Sequence, residues 1–245
     1  MIALPIGLPM AQAGDVVRIA NGEWPPLLSQ HLPGYGPASK IMTEAFGQVG
    51  VKVEYGFFPW KRSYELARSG AWDITPLWTR TPERERDFLF SDVVLSMPSV
   101  FFHRLGKDFQ WQSVDDLVHY RIGITRGYTY GPKLDAAIRS GRLNVVESDN
   151  DERNMRLLGK GLIDLFPIAL PVGYALMKSE LSDNESVLIS VNNRPYLIEH
   201  YTLLFGKQHA ASKRHLQQFN EGLRRLASNG RLSELQQEMT SQPKP

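Results

Sequence analysis

The charged segment Arg80–Asp87 contains a side chain well suited to binding an anion. A planar guanidinium such as that of Arg84 offers a carboxylate two parallel donors and a permanent charge. Thr129 follows Gly127 and precedes a helix predicted to begin at Pro132, so this turn can direct backbone N–H groups toward an anion. A charged run is also typical of a solvated helix turn, and a threonine before a helix is often only a cap. The residues alone leave both interpretations open.

Aromatic residues supply a second set of candidates. Large aromatic side chains are mostly buried for packing, but they also form the apolar walls of binding clefts. Tyr35 lies in a segment rich in turn residues, Pro33–Pro37, where its ring could face a cleft or pack on a loop. The other candidates of this kind are Trp24, Trp60, Trp78 and Tyr128.

Several kinds of chemistry are disfavoured. The chain has no cysteine, which excludes disulfides and thiolate metal sites, and its six histidines form no H-E-x-x-H pair. No nucleophile elbow, phosphate-binding loop or paired-carboxylate motif is present. The net charge is only +2, without a dense basic run interleaved with aromatics, so nucleic acid is not an expected partner. We therefore expect no metal, no cofactor and no enzymatic activity.

The N-terminal residues resemble the end of a secretion signal. Residues 1–10 are apolar, and Ala11-Gln12-Ala13 has the small-x-small pattern of a signal-peptidase site. We predict that residues 1–13 are the remnant of a signal peptide and that the mature chain is exported to the periplasm. No basic residue precedes the apolar stretch, so an apolar N-terminus without a targeting role is the alternative.

Strand-like and helix-like segments alternate through the rest of the chain. This order implies an α/β fold with a largely parallel sheet between helices. Two extended runs, Ser99–His103 and Tyr196–Phe205, separate two such sets, and each is a candidate hinge crossing. The predicted domains are a first lobe of 14–103 and 200–245 and a second lobe of 104–199. Ligands of such sheets bind at the carboxyl ends of the strands, which here would meet in the cleft between the lobes. The predicted strands are Val16–Ala20, Val51–Phe57, Trp72–Thr75, Phe88–Phe90, Arg121–Ile124, Leu143–Val146, Asp164–Phe166 and Val187–Val191, and the helices include Pro37–Gly50, Pro59–Ser69, Pro132–Ser140, Asn150–Lys160 and Pro171–Ser179.

Four segments in the same order resemble the polar amino-acid family of periplasmic solute-binding proteins, known as extracellular solute-binding family 3. They are the T-P-E-R segment Asp73–Ser91, the G-I-T-R-G-Y-T segment Arg121–Thr129, the G-x-x-D segment Gly161–Asp164, and Leu204–Lys207. The resemblance implies a two-lobed, type II periplasmic-binding-protein-like α/β fold. Mixed sheets flanked by helices and two hinge crossings are expected with it.

The resemblance also implies roles for particular residues. Arg84 would grip a ligand carboxylate, with Thr79 and Thr81 beside it, Thr129 in the second lobe and Trp24 as an aromatic wall. The chain departs from the family pattern in three places. Ala169 stands where an aspartate usually holds the ligand's ammonium group, Leu77 and Trp78 replace small polar residues, and Tyr128 replaces a threonine. Candidates to supply the missing carboxylate are Glu23, Asp149 and Asp151, unless the ligand lacks an amine.

The predicted function is capture of a small polar, carboxylate-bearing solute, an amino acid or a related compound, by closure of the lobes of a monomeric protein. Its partner would be the inner-membrane permease of an ABC transporter. One alternative is a sensory module that acts with a membrane receptor. The other is an enzyme resembling cyclohexadienyl dehydratases on the same fold, with Glu23 as the general acid.

Overall fold

The computed structural model of the protein describes residues 15–106 and 109–240. The predicted signal-peptide remnant, 1–13, lies outside the described residues. Among the described residues, no helix combines the length and apolar character needed to cross a membrane.

The N-terminal part alternates strands with helices, as predicted. Strand β1 pairs in parallel with β2 and β3, which forms the sheet of a first strand group. Helix α1 buries Ile41, Met42, Ala45 and Phe46 on one face, the spacing that the sequence pattern indicated. The elements are β1 (Val16–Asn21), a 3-10 turn (Pro33–Tyr35), α1 (Pro37–Gly47), β2 (Lys52–Phe57), α2 (Trp60–Arg68), β3 (Ile74–Trp78), α3 (Pro82–Asp87) and β4 (Phe88–Phe90).

A second strand group follows, again with helices between its strands. Parallel strands β6, β7 and β8 form its sheet. The elements are β5 (Leu95–Arg104), a 3-10 turn (Val114–Leu117), β6 (Arg121–Thr125), α4 (Pro132–Arg139), β7 (Asn144–Ser148), α5 (Asp151–Gly159), β8 (Leu165–Ala169), α6 (Leu170–Glu180), α7 (Asp183–Ser186), β9 (Ile189–Gly206), α8 (Ser212–Ser228) and α9 (Arg231–Thr240).

The strands of the described residues form one mixed sheet in which β5 and β9 are the central pair. The strand order is β2-β1-β3-β9-β5-β8-β6-β7, and β4 also pairs with β9. The far end of β9 pairs with β3 through Thr202, Leu204 and Phe205. On the other side, Ser99–His103 of β5 pairs with β8. The antiparallel pair β5–β9 therefore joins the two strand groups.

Strand β9 differs from its prediction. The sequence pattern indicated two strands, Val187–Val191 and Tyr196–Phe205, but the structure has one strand of 18 residues. Residues 193–196 bulge out, because Ser99 pairs with Leu197 while Phe101 pairs with Asn192. Pro195 lies in this bulge, where its missing N–H costs no ladder hydrogen bond.

The C-terminal helices return to the first strand group. Helix α8 buries Phe219, Leu223 and Leu226 in the large apolar core cluster, and the ring of Phe219 lies 5.2 Å from that of Phe46 in α1. The two helices approach closely at Gly222, where an added Cβ would lie 1.8 Å from the carbonyl oxygen of Ala45. This contact packs α8 closely against α1, a helix of the first strand group.

Candidate functional site

A cavity lies where the two strand groups meet the central pair. The chain reaches it from the carboxyl ends of β1, β3, β6 and β8, the position expected for a ligand site in such a sheet. Its lining is largely aromatic, with one guanidinium and one carboxylate. The lining residues are Trp24, Trp60, Leu77, Trp78, Thr79, Arg84, Tyr128, Thr129, Tyr130, Pro167, Ile168, Ala169, Tyr196, Glu199 and Tyr201.

Helix α3 positions Arg84. Thr81 caps this short helix, since its hydroxyl accepts a hydrogen bond from the Arg84 backbone N–H at 3.3 Å, and Pro82 begins the first turn. Only 9% of Arg84 is exposed. Its Nη1 donates to the backbone oxygen of Thr79 at 2.7 Å and to the Thr79 hydroxyl at 2.8 Å. The guanidinium carbon lies 4.7 Å from the centre of the Trp78 ring, which fixes its plane.

The charge of Arg84 is not neutralised by the protein. No carboxylate oxygen among the described residues lies within 4.0 Å of its guanidinium. Loss of solvent lowers the pKa of Arg84, although several more distant acidic groups oppose this shift. A guanidinium remains charged even so, and a buried charge without a partner is costly. The arrangement is therefore suited to accepting an anion.

Aromatic rings form the wall beside Arg84. The ring of Trp78 packs edge-on against those of Trp60 and Tyr64, with centroids 5.6 and 5.2 Å apart. Its indole nitrogen donates to Thr75. The preceding residue, Leu77, is buried with a φ of 58°, which for a non-glycine residue costs about 1 kcal/mol or more. This turn at the end of β3 interrupts the strand register and directs Trp78 into the cavity.

The second strand group contributes a buried polar cluster around Asp151. One carboxylate oxygen accepts from the Thr125 hydroxyl at 2.5 Å and the other from the Tyr128 hydroxyl at 3.1 Å. Tyr128 is 38% exposed, but its hydroxyl end points inward. Burial raises the pKa of Asp151 to about 6, although these hydrogen bonds favour the charged form. The indole N–H of Trp24 faces Asp151 and also favours its charged form, although the two groups are not within the limits of a direct hydrogen bond.

One direct polar contact links the two strand groups across the cavity. The hydroxyl of Thr79, which follows β3, lies 3.4 Å from that of Thr129, which precedes α4. The Thr79 hydroxyl also accepts from Arg84. The guanidinium is therefore connected through Thr79 to the opposite side of the cavity.

Glu199 on β9 supplies the carboxylate of the cavity. The hydroxyls of Ser99 and Tyr201 both donate to its Oε2, the second at 2.8 Å. Partial burial raises the pKa of Glu199, while these two hydrogen bonds and the charge of Arg84 oppose the increase. The ring of Tyr201 packs edge-on against Trp24, with centroids 5.2 Å apart. A strand residue thus brings a fixed anion into an aromatic environment.

Most of the residues singled out from the sequence come together here. Seven of them line the cavity: Trp24, Trp60, Trp78, Thr79, Arg84, Tyr128 and Thr129. Thr81 serves instead as the cap of α3.

Glu23 and Tyr35 lie outside the lining. The carboxylate of Glu23 is exposed and accepts a hydrogen bond from the backbone of Gln30, and only its carbonyl oxygen meets a cavity residue, Trp60. Tyr35 is 43% exposed, and its ring packs on Tyr55 and Phe57.

The other two candidate carboxylates, of Asp149 and Asp151, also lie outside the cavity lining and already have partners in the protein. Asp149 is exposed and pairs with Arg126, and Asp151 lies in the buried polar cluster, where the hydroxyls of Thr125 and Tyr128 donate to it. Sequence reasoning missed Glu199 and the tyrosines at 130, 196 and 201. One signal was available, because Glu199 and Tyr201 are two residues apart in a predicted strand and so share a face.

A second cluster of ionisable residues lies away from this lining. Asp73, His209 and His215 place potential metal-ligating atoms within 4.8 Å of one another. The Asp73 carboxylate is already engaged, since one oxygen lies 2.8 Å from Nε2 of His209 and the other accepts from the Arg18 backbone N–H at 2.7 Å. The cluster thus ties β1, β3 and the start of α8 together.

Comparison with solved structures places this architecture among known folds. The chain is similar to an ancestral arginine-binding protein bound to arginine, with a TM-score of 0.76 and 19% identity over 91% of this chain and 97% of that one. It is equally similar to a histidine kinase sensor domain that resembles periplasmic binding proteins (TM-score 0.76, 19% identity, 94% and 98% covered). A third is an ancestral amino acid-binding protein described as a precursor of cyclohexadienyl dehydratase (TM-score 0.72, 17% identity, 91% and 94% covered).

These similarities confirm the predicted α/β fold, with its mixed sheet flanked by helices. No functionally curated protein matches the chain in sequence. The family model of the bacterial extracellular solute-binding proteins, family 3, matches residues 20–242. The match covers nearly the whole described chain, and the protein therefore belongs to this family.

Proposed function

We propose that this solute-binding protein captures a small carboxylate-bearing solute in the periplasm and delivers it to the inner-membrane permease of an ABC transporter. The observation that carries the proposal is the buried guanidinium of Arg84, held by Thr79 and Trp78 and without a carboxylate partner among the described residues. A ligand carboxylate would accept the donors that the protein leaves unused, and charge-assisted pairs of this kind are strong.

The proposed lobes are 14–103 with 200–245, and 104–199, joined by β5 and β9. The pairing supports a first crossing nearer Ser96 than residue 103, because Ser99–His103 already pair with β8. Ligand binding would favour the closed arrangement by contacting Arg84 on one lobe and Thr129 on the other. The Thr79–Thr129 contact supports this, since the two hydroxyls are 3.4 Å apart across the cavity.

The aromatic lining supports a ligand with a flat or apolar body. Rings of Trp24, Trp60 and Trp78 provide apolar contact area, while few polar groups fix orientation, as is usual for small-molecule sites. Similar solved structures, one an arginine-binding protein and one the substrate-binding protein of an amino acid ABC transporter, support an amino acid or a related acid. The protein would act as a monomer and without a cofactor.

A thermal-shift screen of amino acids, organic acids and amines tests this function. A specific ligand present at 100 times its Kd adds about 2.7 kcal/mol to the free energy of unfolding. In Arg84→Ala, we expect a carboxylate ligand to bind at least about 30-fold more weakly, because removing one partner of a buried charged pair costs about 2–5 kcal/mol. The matched control is Arg86→Ala, an exposed arginine of the same helix. Equal affinity in both variants would rule out Arg84 as the anion site.

A sensory role is the second candidate, favoured by the similarity to a histidine kinase sensor domain. Both roles share the ligand-binding step and differ in the partner. Stimulation of permease ATPase activity by the ligand-bound protein would support transport, and activation of a receptor kinase would support sensing. The dehydratase alternative loses its suggested acid, because the Glu23 carboxylate lies outside the cavity lining.

A further inference from the structure

Glu199 has one carboxylate oxygen that the protein does not use. Both hydroxyl donors, from Ser99 and Tyr201, bind Oε2. Oε1 has no hydrogen-bond partner among the described residues, and Glu199 lines the same cavity as Arg84. Since two hydroxyls orient the carboxylate, its free oxygen is a fixed acceptor for a ligand.

The two charged groups of the cavity do not neutralise each other directly. No nitrogen of Arg84 lies within 4.0 Å of an oxygen of Glu199, although each favours the charged form of the other. Each therefore has capacity for a partner of opposite sign. A ligand with a negative and a positive group compensates both charges, whereas a simple carboxylic acid compensates only Arg84.

The surroundings of Glu199 favour a cation. Tyr196, Tyr201 and Trp24 line the cavity near this carboxylate, and aromatic rings attract positive charge. Because Oε1 is a hydrogen-bond acceptor, the ligand group that suits it carries N–H donors. A quaternary ammonium would gain the ring contacts but not the hydrogen bond.

The other acidic side chains near the cavity do not offer the same site. Asp151 is fully enclosed, and each of its oxygens accepts from a hydroxyl of the protein. Asp149 is exposed and paired with Arg126, and Ala169 has no polar group. Glu199 is thus the acidic side chain of the lining.

We propose that Glu199 binds the N–H-bearing cationic group of a zwitterionic ligand whose carboxylate is bound by Arg84. This inference rests on the proposed function and narrows its ligand class. The cation is bound from β9, a strand of the central pair, and not from the end of β8. The ligand's charged ends would then contact α3 and β9, with its body against the aromatic wall.

The test measures binding of three matched sets of probes by calorimetry. They are the amino acids, their deaminated carboxylic acid analogues and their N-trimethyl analogues. For Glu199→Gln, we expect amino acid affinity to fall about 10- to 100-fold, because a charge-assisted hydrogen bond becomes neutral. Affinity for the deaminated acid should change less than about 3-fold, since its carboxylate contacts Arg84. The control is Glu54→Gln, an exposed glutamate on β2.

The outcomes separate this inference from the proposed function. If Glu199→Gln binds the amino acid as tightly as the unmodified protein while Arg84→Ala does not, Glu199 is not the cation site and the proposed function stands. The inference is also wrong if deaminated or N-trimethyl analogues bind the unmodified protein as tightly as the amino acid. If no carboxylate binds, both proposals fail. Glu199→Asp keeps the charge and serves as a second variant, in which the preference for the amino acid over its deaminated analogue should persist.

Discussion

The buried carboxyl of Asp151 gives a pH dependence of stability that can be worked out from the structure. Its pKa rises from the ordinary 3.8 to about 6 on folding, mainly because it is buried. The folded state therefore holds a proton that the unfolded state has already released. The stabilisation from this proton is complete below pH 3.8 and is lost as the pH rises through about 6. At 1.36 kcal/mol per pKa unit, the loss amounts to about 3 kcal/mol.

The perturbation is Asp151→Asn, which keeps the size of the side chain but cannot titrate. The free energy of unfolding of the variant, relative to the unmodified protein, should increase by about 2.4 kcal/mol between pH 4 and pH 8, because the unfolded carboxyl is already more than half ionised at pH 4. All other groups titrate equally in both proteins and cancel in the difference. Urea unfolding followed by circular dichroism, at unit steps of pH, measures this difference.

Asp149→Asn is the matched control, because Asp149 has an exposed side chain two residues away. Measured over the same pH range, this variant separates the effect of burial at position 151 from the effect of removing a nearby carboxylate. A pH-independent difference for Asp151→Asn would refute the reasoning, since the carboxyl would then have the same pKa in the folded and unfolded chain.

Two further predictions concern the first strand group. Gly222→Ala should destabilise the protein by about 1–3 kcal/mol or more in urea unfolding, because the new Cβ overlaps the Ala45 carbonyl, whereas Gly47→Ala, which meets nothing within 4 Å, should be neutral or slightly stabilising. Burial lowers the pKa of His215 from 6.5, so the stability provided by its neutral ring is present above pH 6.5 and falls as the pH drops below it. His215→Asn should therefore lose less stability than the unmodified protein between pH 7 and pH 5 in urea unfolding. Equal pH profiles for the two proteins would contradict this.

Local sequence determined much of what could be predicted about the fold. The apolar spacing in α1 and the alternation of strands and helices follow from short-range patterns, as does the position of Arg84 after a capping threonine and a proline. The continuity of strand β9 was harder to predict, because Asn192–Pro195 has a composition typical of the end of a strand. The strand continues through it, since the ladder with β5 on both sides outweighs the local preference.

The cavity itself depends on contacts between distant parts of the chain. Arg84 and Glu199 lie 115 residues apart, and no local pattern indicates that they share a cavity. Glu23 and Tyr35 were predicted to contact the ligand but lie outside the cavity lining. Trp24, next to Glu23, lines the cavity, and Pro37, two residues after Tyr35, begins α1, while the side chains of Glu23 and Tyr35 face outward. Packing against distant residues determines whether a side chain in a turn points toward the cavity or toward solvent. The amino-acid composition of the turn does not indicate this direction.

The concentration of indole rings around the cavity has a practical consequence. Three of the five tryptophans of the chain, Trp24, Trp60 and Trp78, line this one space. A solute entering it would displace water from all three at once and change their intrinsic emission. Ligand titrations can therefore be followed by intrinsic tryptophan fluorescence, without attaching a dye.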